Sequence, residues 1–114
     1  MKPMEQSLVD ELLQQHEQLR ALIDRCEQLA DAFDAGRAAP DVLTREVAQL
    51  RAAFDAHNRF EEQLPRAVLH VGDDHASEHR ALRGQLDGPT AELRAALAGL
   101  REHLAAEERY FCVA

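Results

Sequence analysis

The stretch LTREVAQLRAAFDAHNRFEEQL, residues 43–64, decides how this chain folds. Leu43, Val47, Leu50 and Phe54 advance by alternating steps of four and three, and the same steps continue to Leu64 and Val68. A mean step near 3.5 residues is the seam of a helix packed in a bundle, and no strand produces it. Two of the steps, however, land on His57 and Glu61, where leucines belong. An imidazole and a carboxylate are therefore aimed into the core of a small protein.

Working outward, the same spacing recurs. An N-terminal segment carries Leu12, Leu19, Ile23, Cys26, Ala30 and Phe33, with His16 on the skipped position. A C-terminal segment carries Leu93, Leu97, Leu100, Leu104 and Phe111, with Glu107 on the seam and His103 beside it. Between them, His75 and His79 lie four apart and lead into Leu82 and Leu86. The breaks are DAGRAAPD (34–41), LDGPT (86–90) and the weaker HVGDD (70–74). Gly36 and Gly88 stand as helix terminators, with Pro40 and Pro89 just beyond, and Asp73 or Asp74 is a plausible N-cap. Helices are expected at roughly 7–34, 41–69, 74–86 and 90–112, with a kink where Pro65 removes the amide that would bond the Glu61 carbonyl. Four amphipathic helices with short connections read as an all-α, up-down-up-down four-helix bundle.

Composition agrees. The chain has 114 residues, five glycines and four prolines, which suits one helical domain spanning 1–114. A net charge of −8, with no basic run, argues against a nucleic-acid partner. No stretch approaches the 18 or so apolar residues of a bilayer span, and the N-terminus has no apolar signal core, so no membrane partner and a cytoplasmic location are expected. Cys26 and Cys112 are far apart, form no CxxC, and read as small core residues.

Seven groups thus compete for a place inside: His16, His57, Glu61, His75, His79, His103 and Glu107. One inward histidine is ordinarily a core residue satisfied by nearby carbonyls, and HxxxH or HxxxE alone is weak. Together they do not admit that reading. Each polar group buried without a partner costs about 1–3 kcal/mol. Seven of them would exhaust the roughly 5–15 kcal/mol that stabilises a small domain. A bound cation removes the difficulty by supplying positive charge and taking up lone pairs. On a helix, positions i and i+4 lie about 40° apart, so 57/61, 75/79 and 103/107 each grip one object from one side. Five imidazoles and two carboxylates exceed one tetrahedral zinc. Two six-coordinate first-row ions fit better, with both carboxylates bridging, and iron suits the mixed nitrogen and oxygen set. The ExxH pairs of ferritin-like sites and the HExxH of zinc proteases are absent.

The ordered series His16, His57-x3-Glu61, His75-x3-His79, His103-x3-Glu107 resembles the hemerythrin family, specifically its HHE-type domains, over nearly the whole chain. HEQLRALID from 16 echoes HRALRGQLD from 79, and HNRFEE from 57 echoes HLAAEE from 103, so the halves look like a pseudo-twofold pair. His75 alone has no counterpart, since Leu12 stands in its place. The resemblance implies one iron held by His75, His79 and His103, and a second held by His16 and His57. Glu61, Glu107 and an oxo or hydroxo group would bridge them. The second iron would keep a position open for dioxygen, with Phe54, Phe60, Leu19 and Ile23 as candidates for the surrounding pocket. Oxygen carriers of the family place an Asp five residues after the last histidine. Here Glu107 and Glu108 stand at four and five, and Glu107 is preferred because it lies on the seam. The pattern resembles the sensing and stress-response branch, so the chain is expected to bind or sense dioxygen or a related ligand such as nitric oxide. The alternatives are a di-iron enzyme of peroxide, nitric oxide or iron-delivery chemistry, and an iron-responsive module with a structural metal. No protein partner is identified, and His70 reads as a surface residue.

Overall fold

The computed structural model describes residues 3–64, 75–86 and 90–109, apart from the side chains of residues 3–5, 75–78, 85 and 90–92. These form four helices: α1 (Pro3–Asp34), α2 (Pro40–Glu62), α3 (His75–Gln85) and α4 (Thr90–Glu108). No strand occurs among the described residues. The 32 residues of α1, at 1.5 Å each, span about 48 Å. That length accounts for the 51 Å long axis of the molecule.

Local chemistry explains the ends. α1 starts at Pro3, earlier than the expected position 7, because a proline in the first turn forfeits an amide that has no intrahelical partner anyway. Its other end is a Schellman motif. Gly36 adopts φ +74, its amide donates to the Phe33 carbonyl at 3.0 Å, and the Arg37 amide reaches back to Ala32 at 2.7 Å. α2 then opens on Pro40 after an extended Ala39.

The far end of α2 corrects the sequence reading. Instead of continuing unbroken toward Pro65, the helix stops at Glu62, and residues 65–69 of the expected span, with the kink expected at Pro65, lie outside the described residues. The amide that Pro65 lacks is replaced by that of Leu64, which donates to the Glu61 carbonyl at 3.0 Å. Gln63 likewise bonds Phe60 at 3.2 Å. This three-residue tightening satisfies the last carbonyls, and a residue ahead of proline is pushed out of the helical region in any case. Val68, His70, Phe111 and Cys112, given roles above, lie outside the described residues.

Among the described residues the backbones of α1 and α2, α1 and α4, α3 and α4, and α2 and α3 run close together. The seam residues are where the spacing put them. Leu19, Ile23, Cys26, Leu50, Phe54, Leu82, Leu97, Leu100 and Leu104 belong to one buried cluster. Burying each large side chain contributes about 1.5–3 kcal/mol. A second, smaller cluster joins Val9 and Leu12 of α1 to Phe60 and Leu64. α3 approaches α4 closely at Gly99, where a Cβ would lie 2.9 Å from the Leu82 side chain.

Arginines lace the helices together. From α4, Arg94 donates to Asp31 and Asp34 at 2.6 Å each, and Arg101 to Asp24 and Glu27. Arg25 crosses from α1 to Glu46 on α2 at 2.5 Å, and Arg83 from α3 to Asp55 on α2 at 2.9 Å. The exposed pairs among these contribute at most about 1 kcal/mol each, so they select register more than they stabilise. No helix among the described residues is long and apolar enough to cross a membrane.

Candidate metal centre

Between the two apolar clusters lies a layer of ionisable side chains. His16 follows Leu12 on α1, and His57 and Glu61 follow Phe54 on α2. His79 precedes Leu82 on α3, and His103 and Glu107 follow Leu100 on α4. His16, His57, Glu61, His103 and Glu107 are buried, the least exposed being His16 at 0% and Glu107 at 1%. The His79 side chain is 11% exposed. Six of the seven residues singled out from the sequence are therefore brought together. The seventh, His75, opens α3, but its side chain lies outside the described residues.

Glu107 is the hub. Its Oε1 lies 3.2 Å from His16 Nε2 and 3.4 Å from His57 Nε2. Its Oε2 lies 3.4 Å from His103 Nε2 and 3.7 Å from His79 Nε2. One carboxylate thus turns each of its oxygens toward a different pair of imidazoles. Glu61 approaches the first pair, with Oε1 2.5 Å from His57 Nε2. In the second pair, His79 Nε2 and His103 Nε2 are 2.8 Å apart. Phe54 supports that pair edge-on, its ring centre 5.5 Å from His79 and 6.4 Å from His103.

This donor set fits metal ions. In each of the two groups, His16/His57/Glu107 and His79/His103/Glu107, the donor atoms lie within 4.8 Å of one another. Opposite ligands of a first-row ion bound at about 2.0–2.1 Å stand roughly 4 Å apart, so each group has the span of a coordination sphere. Glu107 belongs to both.

The backs of the first two imidazoles are also held. His16 Nδ1 donates to Glu108 Oε2 at 2.8 Å, and Arg20 donates to the same oxygen at 2.5 Å. His57 Nδ1 donates to Gln15 Oε1 at 2.7 Å. These oxygens only accept, so the proton sits on Nδ1 in both rings and Nε2 faces inward. Glu108, the residue five past His103, thus lies behind His16 while Glu107 occupies the centre. Burial alone would raise the Glu108 carboxyl, but His16 and Arg20 hold it below its ordinary value. Burial alone would lower the His57 imidazole, but the Glu107 and Glu61 carboxylates outweigh it and raise it to about 9.

Sequence reasoning did not find Gln15, Arg20 or the role of Glu108, because each depends on which helices are neighbours. The available hint was that Arg20 stands four residues after His16, and so on its face of α1. Glu46 was missed too. It is 8% exposed, with Arg25 reaching over from α1.

Compared with known proteins, residues 7–113 match the family model described as the hemerythrin HHE cation binding domain. No curated protein and no solved structure matches the chain.

Proposed function

The chain belongs to the hemerythrin HHE cation-binding domain family, and from that premise we propose that it is a non-heme di-iron protein that binds or senses dioxygen or a related small ligand such as nitric oxide. The observation that carries this reading is the division of Glu107 between two histidine pairs, Oε1 toward His16 and His57 and Oε2 toward His79 and His103. A carboxylate so placed is a ready bridge between two ions. The proposed ligands of one iron are His16 and His57, and those of the other are His75, His79 and His103. Glu61 and Glu107 are the shared carboxylates, supplemented by an oxo or hydroxo group.

The proposed scaffold is one up-down-up-down four-helix domain. Three sets of contacts support it. Partners on α1 descend from Asp34 to Arg20 as those on α4 ascend from Arg94 to Glu108. They descend from Arg25 to Gln15 as those on α2 ascend from Glu46 to His57. From α3 to α4, His79 meets His103 and Leu82 meets Gly99.

Bound iron would supply redox-active coordination with room for a small ligand, and the protein does the rest. Glu61 and Glu107 provide the negative charge that compensates the cations in a buried layer. His57 carries a proton at neutral pH in the metal-free chain and must release it for Nε2 to bind an ion, so loading is coupled to proton release. Val9, Leu12, Phe60 and Leu64 on one side, with Leu19, Phe54 and Leu104 on the other, limit water in the layer.

Metal analysis of the protein as isolated, with its visible spectrum, tests the centre: two irons per chain and an oxo-bridge absorption are expected. Stopped-flow mixing of the diferrous protein with dioxygen then tests the use. A reversible absorbing adduct is the expected result, whereas immediate irreversible oxidation would dismiss reversible oxygen carriage.

A further inference from the structure

Three arginine links join α1 to α4, and one of them differs in kind. Arg94 and Arg101 project from α4 to carboxylates on the outer face of α1. In the third the polarity is reversed: Arg20 comes from α1 and the carboxylate, Glu108, from α4. Glu108 Oε2 also accepts the Nδ1 proton of fully buried His16, whereas the acceptors of Arg94 and Arg101 serve no imidazole among the described contacts. A comparable arrangement stands behind His57, where Gln15 accepts from Nδ1 while its own amide donates to Glu11 at 3.2 Å. Both acceptors are thus anchored from behind, one by a guanidinium and the other by a carboxylate one turn earlier on α1.

We propose that Glu108, anchored by Arg20, and Gln15, anchored by Glu11, are positioning residues that lock His16 and His57 with Nε2 turned inward, and so set the metal affinity of that half of the centre. The proposal rests on the metal-binding reading above. An imidazole on a long χ2 rotor offers either nitrogen to an ion. A fixed acceptor on Nδ1 leaves Nε2 as the donor and removes the entropy of ring rotation before the metal arrives. Neither Glu108 nor Gln15 needs to touch the ion to do this. The pair also gives the two ligands of this half different handles: a charged acceptor behind His16 and a neutral amide behind His57. Gln15 and Arg20 both lie on α1, so small movements of that helix would reach both ligands of this half together.

The test is titration of the metal-free chain with cobalt(II), followed by its d–d absorption, with thermal melts run in parallel. The unaltered chain is expected to take two cobalt ions. Glu108→Ala should leave one ion bound normally and weaken the other by about 10- to 100-fold, the usual effect of removing a partner behind a ligating histidine. Glu108→Gln keeps an acceptor oxygen and should restore most of that loss, while Gln15→Ala should weaken the same ion as Glu108→Ala. Arg101→Ala is the structural control, since it breaks a link of the same α1–α4 seam and should leave both affinities unchanged. Normal cobalt affinity in Glu108→Ala would overturn the proposal, as would an equal loss in Arg101→Ala. Equal losses in Glu108→Ala and Glu108→Gln would assign the effect to charge and overturn positioning. If the unaltered chain takes no cobalt, the metal-binding reading itself falls and this one with it, an outcome distinct from the others.

Discussion

Replacing Glu107 by glutamine should move the stability of the metal-free and metal-loaded chains by very different amounts. In the metal-free chain, Glu107 is a 1%-exposed carboxylate facing His16 and His57 through one oxygen and His79 and His103 through the other. Its removal takes one negative charge out of a buried layer and leaves the 2.5 Å His57–Glu61 pair in place. Lost attraction to His57 and relief of desolvation oppose each other, and Glu61 still faces His57, so the metal-free chain should change much less than the loaded one. In the loaded chain the same substitution would delete the ligand proposed to be shared by both ions. Even at the 100-fold level reached by changes behind the ligands, that is about 2.7 kcal/mol per ion. The unfolding entropy of a 114-residue chain, at about 2.1 cal/mol/K per residue, converts this to a Tm loss of about 11 °C per ion. Differential scanning calorimetry with chelator and with excess metal measures both limbs. If Glu107→Gln keeps the same metal-induced rise in Tm as the unaltered chain, Glu107 is not a ligand. If the metal-free variant falls as far as the loaded one, the residue is a structural core element and no more.

The pH dependence of the metal-free chain follows from His57. Its folded value, about 9, lies above the roughly 6.5 of an unfolded histidine. Its stabilising contribution is therefore complete below about pH 6.5 and is lost as pH rises through 9. That difference amounts to about 3 kcal/mol. Urea midpoints of the metal-free chain should fall over that window, and a flat profile would refute the assignment. Phe54→Ala, at a fully buried ring seated against His79 and His103, should cost about 3–5 kcal/mol in denaturant unfolding and also weaken metal binding, whereas Phe54→Leu should cost far less. Cys26 is fully buried, and burial, followed by nearby Glu46, raises its thiol to about 11. Peptide mapping after iodoacetamide at pH 8 should find Cys26 unmodified in the native chain and modified once it is unfolded.

How far the sequence revealed this molecule can be traced residue by residue. The alternating four-three spacing located the helices and the buried faces because core burial and helical period are local properties of the chain. It also singled out the buried polar layer, since an imidazole or carboxylate in a leucine slot is conspicuous only against such a pattern. Helix ends were less legible. A proline inside an apolar rhythm ends or bends a helix, and the choice depends on whether the freed carbonyl finds another donor. Here the Leu64 amide reaches Glu61, and α2 closes at Glu62. The residues behind the ligands were not legible at all. Gln15, Arg20 and Glu108 look like solvated surface residues of an acidic helical protein, and only the adjacency of α1 with α2 and α4 turns them toward His16 and His57. Glu46 follows the same rule, since its partner Arg25 stands on another helix.

The placement of the polar layer has an energetic consequence that the burial pattern makes explicit. The main apolar cluster extends along α1 from Leu19 to Ala30, and the small one holds Val9 and Leu12, so His16 separates them on a single continuous helix. On α2 the main cluster ends at Phe54 and the small one is met at Phe60, with His57 between them and Glu61 following. A helix whose apolar stripe is interrupted in this way gains little from packing across the gap, because the groups there must be paired or desolvated at a cost of kilocalories. Two cations within the gap would reverse the sign of that contribution and tie the ends of α1 and α2 to α3 and α4 through shared ligands. The layer that adds little apolar packing to the empty fold would thus be the one to strengthen a loaded fold, and on the proposed reading metal uptake and folding would be coupled through the order of residues along α1 and α2.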